Sequence, residues 1–326
     1  MDFWKNKKVL VTGGAGFVGS HVVEMLVERG ARTVVVTQEN GTLDNLTHAK
    51  DEVEYIKGDL HNFDVCKKAS RDVNIVLNVA AIVGGINFNQ KHPGTIFRDN
   101  VLINTNMLEA ARLNDVERFL VVSSACVYPR FCTIPTPETE GFVGMPEPTN
   151  DGYGWSKRMA EFQADAYARE FGMKIAIARP YNTYGPRDHF DPKRSHVIPA
   201  LIKRVFDGEN PLTVWGDGEQ SRAFLCVTDL ARGLLEITEK YAEADPINLG
   251  TDEEIKIKEL VSLIINLSGI NNIEVNFDTS KPCGQPRRNC DNTKAMSKIG
   301  FKANVKLEEG LKKTIEWYVA NRKNIR

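Results

Sequence analysis

The sequence predicts an α/β fold: a doubly wound parallel sheet with a smaller α/β domain beside it. Three observations point there. Short apolar runs alternate with helical stretches through the first half; a glycine-rich turn joins the first run to the first helix; and the alternation loosens after Arg179. Strands covered on both faces read as continuous apolar runs, and the helices between them are the crossovers that parallel strands require.

Taken in order, Lys8 to Thr12, Thr33 to Thr37, Val53 to Lys57, Asn74 to Asn78, Arg118 to Ser123 and Lys174 to Arg179 are short, rich in Val, Ile and Leu, and bounded by turn residues. They read as buried strands. Phe17 to Arg29, Asn62 to Ser70, Thr95 to Leu113 and Tyr153 to Phe171 read as the helices between them. Further on, Tyr184 to Asp188 has loop composition, His196 to Phe206 is helical, and Trp215-Gly216-Asp217-Gly218 is a turn. Asp229 to Glu239 and Pro246 to Leu249 supply one more helix and strand returning to the sheet. The tail mixes two helices (Ile257 to Leu267, Leu307 to Tyr318) and a strand (Ile273 to Phe277) around a turn at Lys281-Pro282-Cys283-Gly284.

With 326 residues there is room for one large domain and a smaller one. A formal net charge of −1, with 26% charged residues, gives no reason to expect nucleic acid or a membrane surface as partner. No stretch approaches the roughly 18 apolar residues of a membrane span, nor does the N-terminus carry a signal-peptide run, so a cytoplasmic protein is expected. The six cysteines (Cys66, Cys126, Cys132, Cys226, Cys283, Cys290) are scattered without a Cys-x-x-Cys pair. That argues for reduced thiols rather than disulfides or a metal site.

Between the first strand and helix, Gly13, Gly16 and Gly19 let the backbone turn tightly, approach a pyrophosphate and pack helix on strand. The helix start at Phe17 and Val18 then offers N–H groups to the anion, which makes the sheet Rossmann-type and a dinucleotide its ligand. Tyr153 and Lys157, four apart, share a helix face. A phenol with a pKa of about 10 is a poor proton donor or acceptor at a carbonyl unless a neighbouring cation and the nicotinamide charge lower it. Lys157 would supply that cation and also hold the nicotinamide ribose. At the end of the fifth strand Ser123-Ser124 offers a hydroxyl, Ser124, to hold the substrate oxygen against Tyr153.

The Gly-x-x-Gly-x-x-Gly spacing with Tyr-x-x-x-Lys resembles the extended short-chain dehydrogenase/reductases, among them the nucleotide-sugar epimerases and dehydratases. By that resemblance Thr37, Asp59, Leu60, Ala80, Ala81, Asn100 and Pro180 join the cofactor site. The runs Ser124-Ala125-Cys126-Val127-Tyr128-Pro129, Val83-Gly84-Gly85-Ile86 and Ser195-His196-Val197-Ile198-Pro199 are similar to the GDP-L-fucose synthases. Those enzymes epimerise a GDP-4-keto-6-deoxy-mannose at C3 and C5 and then reduce C4. The resemblance makes Cys126 and His196 the acid/base pair. It places Gly85, Asn182, Val197, Arg204, Trp215, Arg222 and Arg288 against the nucleotide sugar. A thiol and an imidazole suit proton movement beside a ketone, and arginine forks suit a diphosphate. Residues 1–182 with 223–251 would then bind the dinucleotide, and residues 183–222 with 252–326 the nucleoside-diphosphate sugar, GDP being the expected nucleotide.

The second strand departs from that pattern. It ends in Thr37-Gln38-Glu39-Asn40, with neither the acid of NAD enzymes at the expected place nor the arginine of NADP enzymes, so NAD and NADP both stay open. Some features, including Asn106 to Arg112, are similar to GDP-mannose 3,5-epimerase, where a lysine replaces His196; a redox-neutral epimerase is the alternative. A 4,6-dehydratase would carry an acidic residue at Ser124-Ala125, and a non-catalytic module would be expected to lose Tyr153 or Lys157. Relatives of this kind pair the helices 95–113 and 153–171 across a homodimer, which is the expectation here.

Overall fold

The structure, a computed structural model, describes residues 2–191, 195–281, 285–323 and 325. Its strands are β1 (Lys8–Thr12), β2 (Arg32–Thr37), β3 (Val53–Lys57), β4 (Ile75–Asn78), β5 (Arg118–Val122), β6 (Ile175–Pro180), β7 (Thr183–Tyr184), β8 (Leu212–Trp215), β9 (Ser221–Ala223), β10 (Leu225–Cys226), β11 (Ile247–Leu249), β12 (Glu254–Lys256), β13 (Val275–Asp278) and β14 (Arg287–Arg288). The helices are α1 (Phe17–Glu28), α2 (Phe63–Ala69), α3 (Ile86–Lys91), α4 (Pro93–Leu113), α5 (Asp151–Phe171), α6 (Val197–Phe206), α7 (Val227–Lys240), α8 (Ile257–Ser268), α9 (Thr293–Ile299) and α10 (Leu307–Asn321).

Seven strands form one sheet in the order β11-β6-β5-β4-β1-β2-β3, every neighbouring pair parallel. Side chains alternate across it, as the pleat dictates. Val9 and Val11 of β1 point to one face and meet Leu26 of α1 and Leu234 of α7. Leu10 points to the other and meets the layer of Met107 and Leu108 from α4 and Ala160 from α5. Each such Val or Leu, removed from water, contributes roughly 1.5–3 kcal/mol. The six predicted strands of the first half all enter this sheet, as does Ile247–Leu249.

A third apolar cluster is built from later segments, including Leu201 and Ile202 of α6, Val214 of β8, Leu260 and Ile264 of α8 and Leu311 of α10. Around it lie three small sheets: β10 with β7, β13 with β8, and β9 between β12 and β14. Here the sequence reading needs correction. Thr183–Tyr184, taken as the edge of a loop, pairs with β10, and Trp215 closes a strand rather than opening a turn. Among the described residues the tail holds three helices (α8, α9, α10) and three strands (β12, β13, β14), not two and one. The turn predicted at Lys281 to Gly284 lies, from Pro282 to Gly284 and so including Cys283, outside the described residues. No described helix is long and apolar enough to cross a membrane.

Candidate active site

The carboxyl ends of β1, β4, β5 and β6 carry most of the predicted site, where open parallel sheets bind ligands. After β1 the chain turns at Gly13, whose φ of +65° lies in the left-handed region. A side chain at Gly19 would put its Cβ 2.1 Å from the Gly13 carbonyl oxygen, so the helix can start this close to the turn only without one. Gly16 precedes α1, with no side-chain cap and no acidic residue in the first turn. The N–H groups of the first turn, from Phe17 through Gly19, thus keep their partial positive charge for an anion. Asn45 fastens the loop by donating to Ala15 C=O at 3.1 Å. On the other side Thr12 donates to Asn78 Oδ1 at 2.8 Å and accepts the Ala80 N–H at 3.0 Å, which fixes Ala80 and Ala81 beside the glycines. This cradle fits the diphosphate of a dinucleotide.

Two predicted cofactor residues spend their side chains elsewhere. Asn100 uses its amide on the N–H and C=O of Ile82 and on Ile96 C=O, so it shapes the loop after β4 that leads to Gly85. The exposed Asp59 is held by the N–H and ring of His61, whose hydrogen bonds keep its carboxyl below the usual range. Thr37 ends β2 buried, whereas Gln38 and Glu39 after it are exposed. Leu60 is buried below α2, and Pro180 is half-buried at the end of β6.

Tyr153, Lys157 and, one turn further, Glu161 lie on the buried face of α5. The Lys157 ammonium donates to Val122 C=O at 2.7 Å and lies 5.4 Å from the centre of the Tyr153 ring. Burial brings this lysine down to about 8, against the opposing pull of Cys126 and Glu161. Burial, with Cys126 beside it, raises the Tyr153 phenol; the sequence reading relied on Lys157 together with the charge of a bound nicotinamide to lower it. The two serines also separate. Ser123 is buried and donates to Glu161, whereas Ser124 is half-buried and caps the turn at Ala125–Val127 by accepting the Cys126 N–H at 3.1 Å.

Cys126 is half-buried, close enough to Tyr153 and Lys157 to act on both electrostatically. Arg288 Nη2 donates to its sulfur at 3.7 Å. His196 precedes α6 without capping it. His196 is an exposed residue; the protein packed around its ring, with the charges of His189 and Arg288, lowers the imidazole below its ordinary value. Cys126, Tyr153, Lys157 and Arg288 are therefore one group, and His196 shares the field of Arg288.

Arg222 and Arg288 are partners in register on the parallel strands β9 and β14, so they point to the same side of their small sheet. That sheet hangs on Glu254 of β12, which accepts Arg287 through two nitrogens at 2.8 Å and also takes Ser221 and Asn289. The Arg287 bonds hold the Glu254 carboxyl down at about 2. Asn182 donates to Ala223 C=O at 3.1 Å, Val197 opens α6, and Trp215 is exposed. Arg204, expected against the diphosphate, has its fork on Glu209 and on Thr213 C=O at 2.5 Å. In this arrangement it braces β8.

Sequence reasoning missed the scaffold beneath the site. Glu161 and Arg179, each 2% exposed, form a bidentate pair at 2.7 and 2.8 Å. Arg179 continues to Tyr128 (2.9 Å), and Tyr128 donates to Asn248 of β11 at 2.6 Å. Arg158 donates to Val127 C=O at 2.9 and 2.7 Å and so ties the Cys126 turn to α5. The signal for Glu161 was present: it is the third polar residue at four-residue spacing after Tyr153 and Lys157.

The chain is similar to known proteins over nearly its whole length. A family profile described as the NAD dependent epimerase/dehydratase family matches residues 9–250. A probable GDP-L-fucose synthase 1 of Oryza sativa subsp. japonica is 36% identical over 97% of this chain and 93% of its own. GDP-mannose 3,5-epimerase 1 of Oryza sativa subsp. indica is 32% identical over 97% and 83%. Among solved structures, an epimerase of Methanothermobacter thermautotrophicus superposes with a TM-score of 0.90 at 28% identity, covering 99% of this chain and 95% of that one. A GDP-L-fucose synthetase of Naegleria fowleri bound to NADP gives 0.83 at 26% identity, covering 100% and 98%.

Proposed function

The chain belongs to the NAD dependent epimerase/dehydratase family, and on that premise we propose that it is an NAD(P)-dependent epimerase and reductase of a GDP-4-keto-6-deoxy-hexose. The observation that carries this reading is the thiol of Cys126 set between Tyr153, Lys157 and Arg288. A reductase alone has no use for a thiol there. Epimerisation beside a ketone does: the thiolate takes the proton, the C–H bond breaks, S–H forms, and the electron pair moves onto the ketone oxygen. His196, kept neutral at lower pH than usual, takes up and returns a proton on the other face of the ring.

A bound nicotinamide supplies the hydride for C4. The glycine loop and α1 would hold its diphosphate and Lys157 its ribose. Ser124 orients the C4 oxygen and Tyr153 gives it a proton. Arg222, with Asn182 and Trp215 near the same cleft, would hold the nucleotide. The later segments, residues 183–222 with 252–326, serve as the nucleotide-sugar domain. The redox-neutral alternative is supported by the absence of an arginine after β2, where Gln38, Glu39 and Asn40 follow Thr37 and are exposed. The outer faces of α4 and α5 expose Phe97, Leu102, Met159 and Phe162, which suits a homodimer through these helices. The described cysteines are all free thiols, in keeping with a cytoplasmic enzyme.

The test is incubation with GDP-4-keto-6-deoxy-mannose in D₂O, with and without NADPH, with deuterium at C3 and C5 read by NMR. Exchange that disappears in Cys126→Ser and His196→Asn supports the reading, and unaltered exchange removes it. NADPH consumption separates net reduction from redox-neutral epimerisation, and a monomer in sedimentation at micromolar concentration refutes the dimer.

A further inference from the structure

We infer that Arg288 is a positioning residue for Cys126, turning the sulfur into the cleft and balancing negative charge on it, rather than a contact for the substrate's diphosphate. The inference rests on the proposed acid/base role of Cys126 for its use, though not for its geometry. The contact itself is the 3.7 Å approach of Nη2 to the sulfur. It is flanked by bonds that sew the two segments together. Gln285 donates to both Pro129 and Arg130 C=O at 3.0 Å, just past the Cys126 turn. On the other side Thr136 N–H donates to Asn289 C=O at 3.0 Å, and Asp291 N–H to Thr136 C=O at 3.0 Å. Arg288 is thus delivered to Cys126 by paired backbone, not by a swinging surface side chain. Its guanidinium also lies 5.9 Å from the centre of the Tyr181 ring and within the field of Glu147, a buried carboxylate. Those neighbours keep the fork where it is. The groups that act electrostatically with the sulfur are then Tyr153, Lys157 and Arg288, and Arg288 in turn acts with Glu147 and His196.

A guanidinium beside a thiol raises its thiolate fraction, and the thiolate is the form that reacts with alkylating agents. The test uses the full chain without substrate. Iodoacetamide modification of Cys126 is followed by peptide mass mapping in wild type, Arg288→Gln and Arg288→Lys, alongside GDP affinity by calorimetry. Arg288→Gln is expected to slow modification of Cys126 roughly tenfold, with Arg288→Lys recovering most of the rate and GDP affinity changing less. An unchanged rate in Arg288→Gln overturns the inference, as does a loss of GDP affinity with no change in modification. Should Arg288→Gln fail to fold, Arg288→Met takes its place: slower modification of Cys126 supports the inference, and an unchanged rate overturns it. A protein in which Arg288 governs modification while Cys126→Ser still exchanges deuterium keeps this contact and loses the proposed epimerisation.

Discussion

The proposed cofactor side and the proposed substrate side of this site are built in opposite ways. The cofactor cradle is a short contiguous stretch, Gly13 to Gly19, whose working groups are backbone N–H donors aimed by one turn and one helix. The substrate side gathers side chains from segments far apart in the chain: Cys126 after β5, Tyr153 and Lys157 on α5, His196 before α6 and Arg288 on β14. A backbone cradle is specified by what is missing, the Cβ atoms. A side-chain cluster is specified by what lies underneath it, here the pair of Glu161 and Arg179 and the fork of Arg158. The first tolerates no bulk, and the second tolerates no lost partner.

Three changes test that contrast. The largest effect is expected from Glu161→Gln, which strands the buried Arg179 charge and releases Ser123. Urea denaturation should show a loss of about 3–5 kcal/mol, and a loss below 1 kcal/mol would mean the scaffold is not what holds the substrate side. Gly19→Ala comes next. Its methyl meets the Gly13 carbonyl, so the loop must open at a cost of about 1–3 kcal/mol. Dinucleotide titration should weaken at least roughly tenfold while Cys126 keeps its alkylation rate; a parallel fall in both would erase the distinction between the sides. The smallest effect at neutral pH concerns the joint between them. His21 of α1 meets Pro186 C=O at 3.1 Å, beside the ion pair of Arg187 with Glu24. Burial lowers this imidazole to about 4. The unfolded chain therefore binds the proton first as pH falls, and the stabilisation present above about 6.5 is lost between 6.5 and 4. His21→Gln should flatten that part of the stability curve and differ from wild type by under about 1 kcal/mol at pH 7. An unchanged acid limb would assign it to other groups.

The same contrast decides what could be read from the sequence. Strands β1 to β6 and the long helices were legible because each carries enough apolar residues to show its period. The glycine loop and the Tyr-Lys pair were legible because their spacing is their mechanism. The two- and three-residue strands β7, β9, β10, β12 and β14 have no period of their own and exist through their partners. The short helices α3 and α9, six and seven residues long, were also missed. Arg204 reads as a substrate cation until Glu209, five residues on, is seen to take it. Ser123 and Ser124 are indistinguishable in sequence, and only Glu161 beneath them tells which one is spent. The direction of the Tyr153 shift could not be read at all, because it depends on how much water the folded chain removes.

Glu254 has a reach out of proportion to its distance from the chemistry. One carboxylate anchors both edges of the ribbon that bears Arg222 and Arg288. A substitution there would loosen the proposed nucleotide contact of Arg222 and the proposed setting of the Cys126 sulfur at the same moment, although Glu254 is not itself placed at either. Inherited or engineered variation at this position would therefore look like two separate defects with one origin. The strength of its hold, which keeps the carboxyl ionised down to about pH 2, means that acid alone would not mimic the change.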